Sequence, residues 1–386
     1  MPEQIELVIL VFLVVAGGTV VSWLWQRGWE LGTLLPPQRS RAVPWGFGEV
    51  LFAALSSIAL LVLVQMFLGL VLQFGLLDWL YGKEFAKLVL EGKGEEAKLA
   101  GARLMLWRQV IAVPLQVAAV LIVFRAVSDT RPYQLGLTPH RLCPNTALGV
   151  MAWLAVTGAI LVLSIAVQLF YEWALKAPDQ HPFEQLTASG IAWWEWCLLG
   201  VSAVVAAPIT EELFFRGIVQ PYLSRRWWGG QAGLVGALVF AILSRGASLQ
   251  SALQDHDWRA AAWELQPVLF VLGLAGVFEA LRLRYRPEAS AIFGSAALFA
   301  LAHAFAWPTP VPLFVLGLVL GWLAYRTQGL VAPIVLHSLF NSVAVVVLLL
   351  TAPQREKGKE LTTPERRPPS TSTSTFVPGS WWPRRM

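Results

Sequence analysis

The chain reads as an all-α, polytopic transmembrane helix bundle of about 8–10 spans, and three observations predict it. Of its 386 residues, 56% are hydrophobic and 14% charged, with a mean hydropathy of +0.60; soluble domains carry about 25% charged residues. Apolar runs of about 20 residues, the length a helix needs to cross hydrocarbon, recur along the sequence. Lys and Arg gather in alternate links between those runs, as cytoplasmic loops do. The net charge of +5 therefore reports membrane topology, and no nucleic-acid partner is implied. Cys143 and Cys197 stand alone without a CxxC or His/Cys cluster, so neither a disulfide framework nor a thiolate metal site is indicated.

The first run, IELVILVFLVVAGGTVVSWLWQ (5–26), is preceded by Glu3 with Glu6 at its start and no Lys or Arg. That flank is wrong for a secretory leader, so the run is read as a retained span. Further runs follow at 49–75, 105–127, 146–171, 193–220, 231–246, 266–281, 289–307, 311–326 and 330–351. The shortest hold about 16 residues and are candidates for tilted, re-entrant or interfacial segments. Arg27, Arg39 and Arg41 follow the first run, Arg125, Arg131 and Arg141 the third, Arg225 and Arg226 the fifth, and Arg282, Arg284 and Arg286 the seventh. Links 83–98 and 176–184 are balanced or acidic. This alternation predicts an outside N-terminus and a cytoplasmic end to the fifth run.

Ten crossings would leave 353–386 outside, although it holds seven Lys/Arg against three Glu. Either one short run does not cross, or the tail lies too far from the last span to influence orientation. The tail is Pro/Ser/Thr-rich without apolar periodicity and is read as disordered. Its end, WWPRRM, could touch a membrane surface, but composition favours a flexible solvated tail.

The segment PITEELFFRG (208–217) places two glutamates and an arginine in the fifth run. Three charges at mid-depth would cost roughly 8–10 kcal/mol before pairing. Glu212 and Arg216, at i,i+4 with the acid first, can form a helical ion pair. A position near the cytoplasmic end of the run would also admit water. Glu211 is left without a partner on its own helix. In SAALFALAHAFAW (295–307), Phe299 and His303 share a helix face; in LVAPIVLHSLFNSVAVV (330–346), His337 and Asn341 share another. His140, His181 and His256 fall in expected loops. Ionisable residues within spans face a bundle interior or cavity and mark function by default.

A carboxylate, two imidazoles and a carboxamide suit hydrolysis. Glu211 could take a proton from water, a histidine could hold that water directly or through a metal, and His337 with Asn341 could donate to an oxyanion. Glu211, His303 and His337 would also make an N/O ligand set for zinc or another divalent ion, although HExxH is absent. Singly, each feature has a plainer reading: His337 and Asn341 as interhelical hydrogen-bond partners, Glu212–Arg216 as a structural pair, Phe299 as packing.

Taken in order, EExxxR (211–216), FxxxH (299–303) and HxxxN (337–341) resemble the CAAX-protease and bacteriocin-processing (CPBP, ABI) family of intramembrane endopeptidases. The match covers roughly 195–350. The resemblance implies that Glu211 activates water, that His303 is its partner on that water, and that His337 and Asn341 stabilise the oxyanion. Glu212 and Arg216 would brace the site. It implies a multi-pass protein of a bacterial-type cell membrane, acting on a peptide or protein substrate in or at the bilayer, prenylated CAAX ends being one option. Family members have been described both as metalloproteases and as metal-independent Glu/His enzymes. One departure is the separation of 83 in the numbering from Arg216 to Phe299, read as an inserted helical hairpin at 231–283 within a catalytic core at 193–352; helices 1–192 precede the core. A proton-coupled transporter is the runner-up, since Glu and His also mark proton relays, but no internal repeat supports it. A non-catalytic membrane scaffold is the third reading.

Overall fold

The computed structural model describes residues 2–26, 43–91, 94–138, 141–174 and 191–362. The expected links with Arg27, Arg39, Arg41, His140 and His181, and the tail from 363 onward, lie outside the described residues. Every apolar run becomes a helix, and no strand occurs among the described residues. In chain order the helices are α1 (Pro2–Gln26), α2 (Phe47–Gln73), the short α3 (Asp78–Tyr81) and α4 (Phe85–Glu91), α5 (Gly94–Ser128) and α6 (Leu142–Ala174). The C-terminal half continues with α7 (Trp193–Ser224), α8 (Gly229–Gln254), α9 (Trp258–Glu264), α10 (Gln266–Ala280), α11 (Pro287–Leu301), α12 (Pro310–Thr327) and α13 (Val331–Thr362).

Eight helices are long and apolar enough to cross a membrane, and α9 with α10, bent by 46°, would make a ninth. Two boundaries differ from the hydropathy reading. The run expected at 231–246 extends to Gln254, because Ala, Leu, Ser and Gln sustain a helix after the apolar average has fallen. The run expected at 289–307 ends at Leu301, ahead of Pro308, Pro310 and Pro312, which resist a continuous helix. The backbone of α13 is helical to Thr362, ten residues into the segment read as disordered; Glu, Lys, Arg and Gln there are good helix formers.

Helix α7 alternates between α and π geometry, with π turns at Val201–Ala206 and Leu213–Val219. Each π turn is followed within two residues by a proline, Pro208 and Pro221. A proline has no N–H for the i−4 carbonyl, so the preceding turns widen and the hydrogen bonds shift by one residue. Ala207 N accordingly bonds Ser202 O, and Gln220 N bonds Phe215 O.

The C-terminal helices enclose an apolar core in which Phe215, Phe299, Leu316, Leu320, Leu323 and Leu336 pack together. Large side chains such as Phe12, Phe67 and Leu243 instead point outward. Such surface would be a liability in water; here it is the face presented to lipid.

Candidate active site

The glutamates of α7 diverge in environment. Glu212 and Arg216 are completely buried and paired, Nη1 to Oε1, at 2.9 Å. Arg216 Nη2 donates to the carbonyl of Gly317 on α12 at 3.2 Å, and its guanidinium lies over the Phe299 ring, 4.4 Å from the centroid. Thus the pair is neutralised internally and locked to two other helices. Glu211 keeps 25% side-chain exposure and stands on the other side of the pair. Because α7 runs to Ser224, Glu211 lies 13 residues inside its end, about 20 Å of helix rise. The carboxylate is therefore near mid-depth, not at the rim.

Two histidines reach it, one from the turn after α11 and one from α13. His303 sits just past the last residue of α11, where its Nδ1 donates to the Phe299 carbonyl at 2.9 Å and so caps that helix. His337 on α13 has its Nδ1 2.9 Å from Glu212 Oε1. A carbonyl and a carboxylate can only accept, so both Nδ1 atoms carry a proton, and each ring is left with its Nε2 for the space beside Glu211. Those Nε2 atoms both face Glu211: His303 to Oε1 at 3.9 Å and His337 to Oε2 at 3.8 Å. Neither distance is a direct hydrogen bond; separations of this size are where a bridging molecule fits. Three polar groups turned toward one space suit a water or another polar molecule between them. Phe299 meets both imidazoles edge-on, with ring centroids 5.2 Å from His303 and 5.6 Å from His337.

Asn341 is placed differently. Its Nδ2 donates to the carbonyl of Ala203 at 2.8 Å. In the i+5 register of that π turn the partner of this carbonyl would be residue 208, a proline without N–H. Asn341 supplies the missing donor and ties α13 to α7, keeping a second amide proton. The structure thus gathers Glu211, Glu212, Arg216, Phe299, His303 and His337 into one cluster and gives Asn341 a helix-joining bond beside it. Sequence reasoning missed Arg245 on α8, whose guanidinium holds the turn behind His303. The signal was available: a lone arginine just beyond an apolar run is the kind of charge that needs a partner.

The donor chemistry of Glu211, His303 and His337 is of the type zinc accepts, but tetrahedral zinc with bonds of 2.0–2.2 Å sets ligand atoms about 3.4 Å apart. The observed 3.8 and 3.9 Å are wider, and no group of three or more His, Cys, Asp or Glu among the described residues stands at metal-holding spacing. The residues as placed do not fit a metal, and no step below is routed through one.

Fold and site together define a polytopic, all-helical membrane protein with a carboxylate–imidazole cluster enclosed in its C-terminal half. Within that class, the family model described as type II CAAX prenyl endopeptidase Rce1-like matches residues 193–286 and 274–343, so the C-terminal membrane helices of this chain are similar to that family. No significant match was found among curated proteins or among solved structures.

Proposed function

We propose that the chain is an endopeptidase that hydrolyses peptide bonds of membrane-associated substrates, prenylated C-terminal peptides among them, by glutamate/histidine activation of water. The observation that carries this reading is the convergence of Glu211 Oε1 and Oε2 with the Nε2 atoms of His303 and His337, each pair within 4 Å, from α7, the turn after α11 and α13. A water between Glu211 and His303 is oriented by both, and as its oxygen attacks the scissile carbonyl one proton passes to Glu211 while the other stays on the oxygen. Glu211 takes one proton and returns it to the departing amide nitrogen as the C–N bond breaks, leaving a carboxylic acid and an amine. His337, whose Nδ1 is committed to Glu212, donates through Nε2 to the developing oxyanion when it carries its second proton; the Glu212 carboxylate supports that cation. The free amide proton of Asn341 is the second donor.

The test is a cleavage assay on purified, detergent-solubilised protein with prenylated and unprenylated peptide pools, with and without chelator. Wild type should cleave, while Glu211→Gln and His303→Ala should each lower the rate by about 10²–10⁴, the usual contribution of general acid–base groups, with the fold intact. Glu211→Gln cleaving at the wild-type rate would sink the mechanism. Loss of activity on chelation with recovery on adding zinc would replace it with a metal-dependent one.

A further inference from the structure

Helix α11 has 15 residues, about 22 Å of rise, against roughly 30 Å of hydrocarbon. Helix α8 starts beside it, where Gly230 N donates to Ser290 Oγ at 3.1 Å, and continues alongside it in the same direction, Gly233 against Gly294 and Gly236 against Leu298, for a total length of 26 residues. The carboxyl end of α11 and the turn after it therefore finish within the depth that α8 spans. Lipid offers no donors there, so carbonyls at such a break must be satisfied by protein.

Arg245 does this. Its Nε and Nη2 both donate to the Ala304 carbonyl, at 3.2 and 2.9 Å, and Nη2 also reaches Phe305 O at 3.4 Å. Its Nη1 meets Glu264 Oε2 of α9 at 3.2 Å, the two side chains being only 10% and 14% exposed. Alongside, Trp307 Nε1 donates to Gln266 Oε1 of α10 at 2.6 Å. From the stretch read as an insertion, α8 thus grips the 302–305 turn directly, α9 holds that grip through Glu264, and α10 ties down Trp307 just after it. A guanidinium is suited to this and a lysine is not, since a point donor cannot serve one carbonyl twice and a carboxylate besides.

We propose that Arg245, held by Glu264, is a positioning residue that fixes the 302–305 turn so that His303 Nε2 stays on Glu211, making α8–α10 part of the site's apparatus. The proposal rests on the reading of His303 as a participant in the reaction.

The experiment uses the full chain with Arg245→Lys, Arg245→Met and Glu264→Gln, and Arg284→Met at the exposed Arg284–Glu279 pair as control. Turnover is read as kcat and KM, and the imidazole of His303 by ¹⁵N-histidine NMR, assigned from the signal lost in His303→Ala. Arg245→Lys and Glu264→Gln should fold, lose about ten- to a hundredfold in kcat with KM within threefold, as small displacements of reacting groups do, and shift the His303 ring-nitrogen signals while those of His337 stay. The control should match wild type. Folded variants with wild-type kcat and unmoved His303 signals would overturn the proposal. So would failure of all three variants to fold, which would make the pair part of the general core. Shifted His303 signals in a wild-type background that cleaves nothing would keep the brace and remove the catalytic reading.

Discussion

Glu212 serves two partners with one oxygen: its Oε1 accepts from Arg216 Nη1 and from His337 Nδ1, each at 2.9 Å. Replacing it with alanine would strand a fully buried guanidinium and release the ring that faces Glu211. Breaking a buried pair from one side costs about 3–5 kcal/mol, so Glu212→Ala should lower the thermal midpoint and the yield of monodisperse protein, whereas Glu212→Gln, which keeps the acceptor oxygen, should fold with impaired cleavage. An alanine variant as stable as wild type would contradict this. The EExxxR spacing made the ion pair legible, because i,i+4 neighbours meet on any helix. It could not show where His337 Nδ1 would go, since 125 positions separate the two residues. Nor could HxxxN reveal the bond from Asn341 to Ala203, which depends on α7 widening ahead of Pro208.

Helices α8 and α11 approach so closely that a Cβ on Gly233 would fall 2.5 Å from the Cα of Gly294. Backbone meets backbone there, and no side-chain adjustment relieves it. Small residues at such crossings let membrane helices pack without a hydrophobic driving force, and this approach is what delivers Arg245 to the end of α11. Gly233→Ala should therefore cost about 1–3 kcal/mol of stability through overpacking and depress cleavage as the helices part. Gly273→Ala on α10, where an added Cβ meets nothing within 4 Å, should be neutral or stabilising by up to about 1 kcal/mol. Differential scanning fluorimetry on both variants checks the contrast; equal effects would refute it. Hydropathy located these helices but misplaced their ends, because an apolar average stops at Ser244 and Arg245 although the backbone continues, and passes through Ala302–Trp307 although the helix has stopped. The second error hid that His303 lies in a turn needing its own support.

Across the molecule from the end of α7 to α12, the arginines gather toward one end of the helices, with Arg259 beside Asp257 and the buried Arg245 the exceptions. Arg225 and Arg226 precede α8, Arg282, Arg284 and Arg286 precede α11, and Arg326 lies in the last turn of α12; at the opposite end of α8 are Asp255 and Asp257. The 26 residues of α8 put about 39 Å between the two groups, enough to set them on opposite sides of a bilayer. Cytoplasmic ends carry the excess of Lys and Arg, which predicts that the start of α8 and the 282–286 link face the cytoplasm and that the α8–α9 link faces outward. Single cysteines test this in a background with Cys143 and Cys197 replaced by serine, since both native thiols are exposed. A membrane-impermeant maleimide added to intact cells should label Asp255→Cys at once and Tyr285→Cys only after permeabilisation, Tyr285 being 71% exposed. The reverse pattern would invert the bundle. The expected pattern sets α8 and α11 entering together from the cytoplasmic side, with the His303 turn about 22 Å of helix rise from their start and Arg245, bonded to Ala304 in that turn, at the same depth.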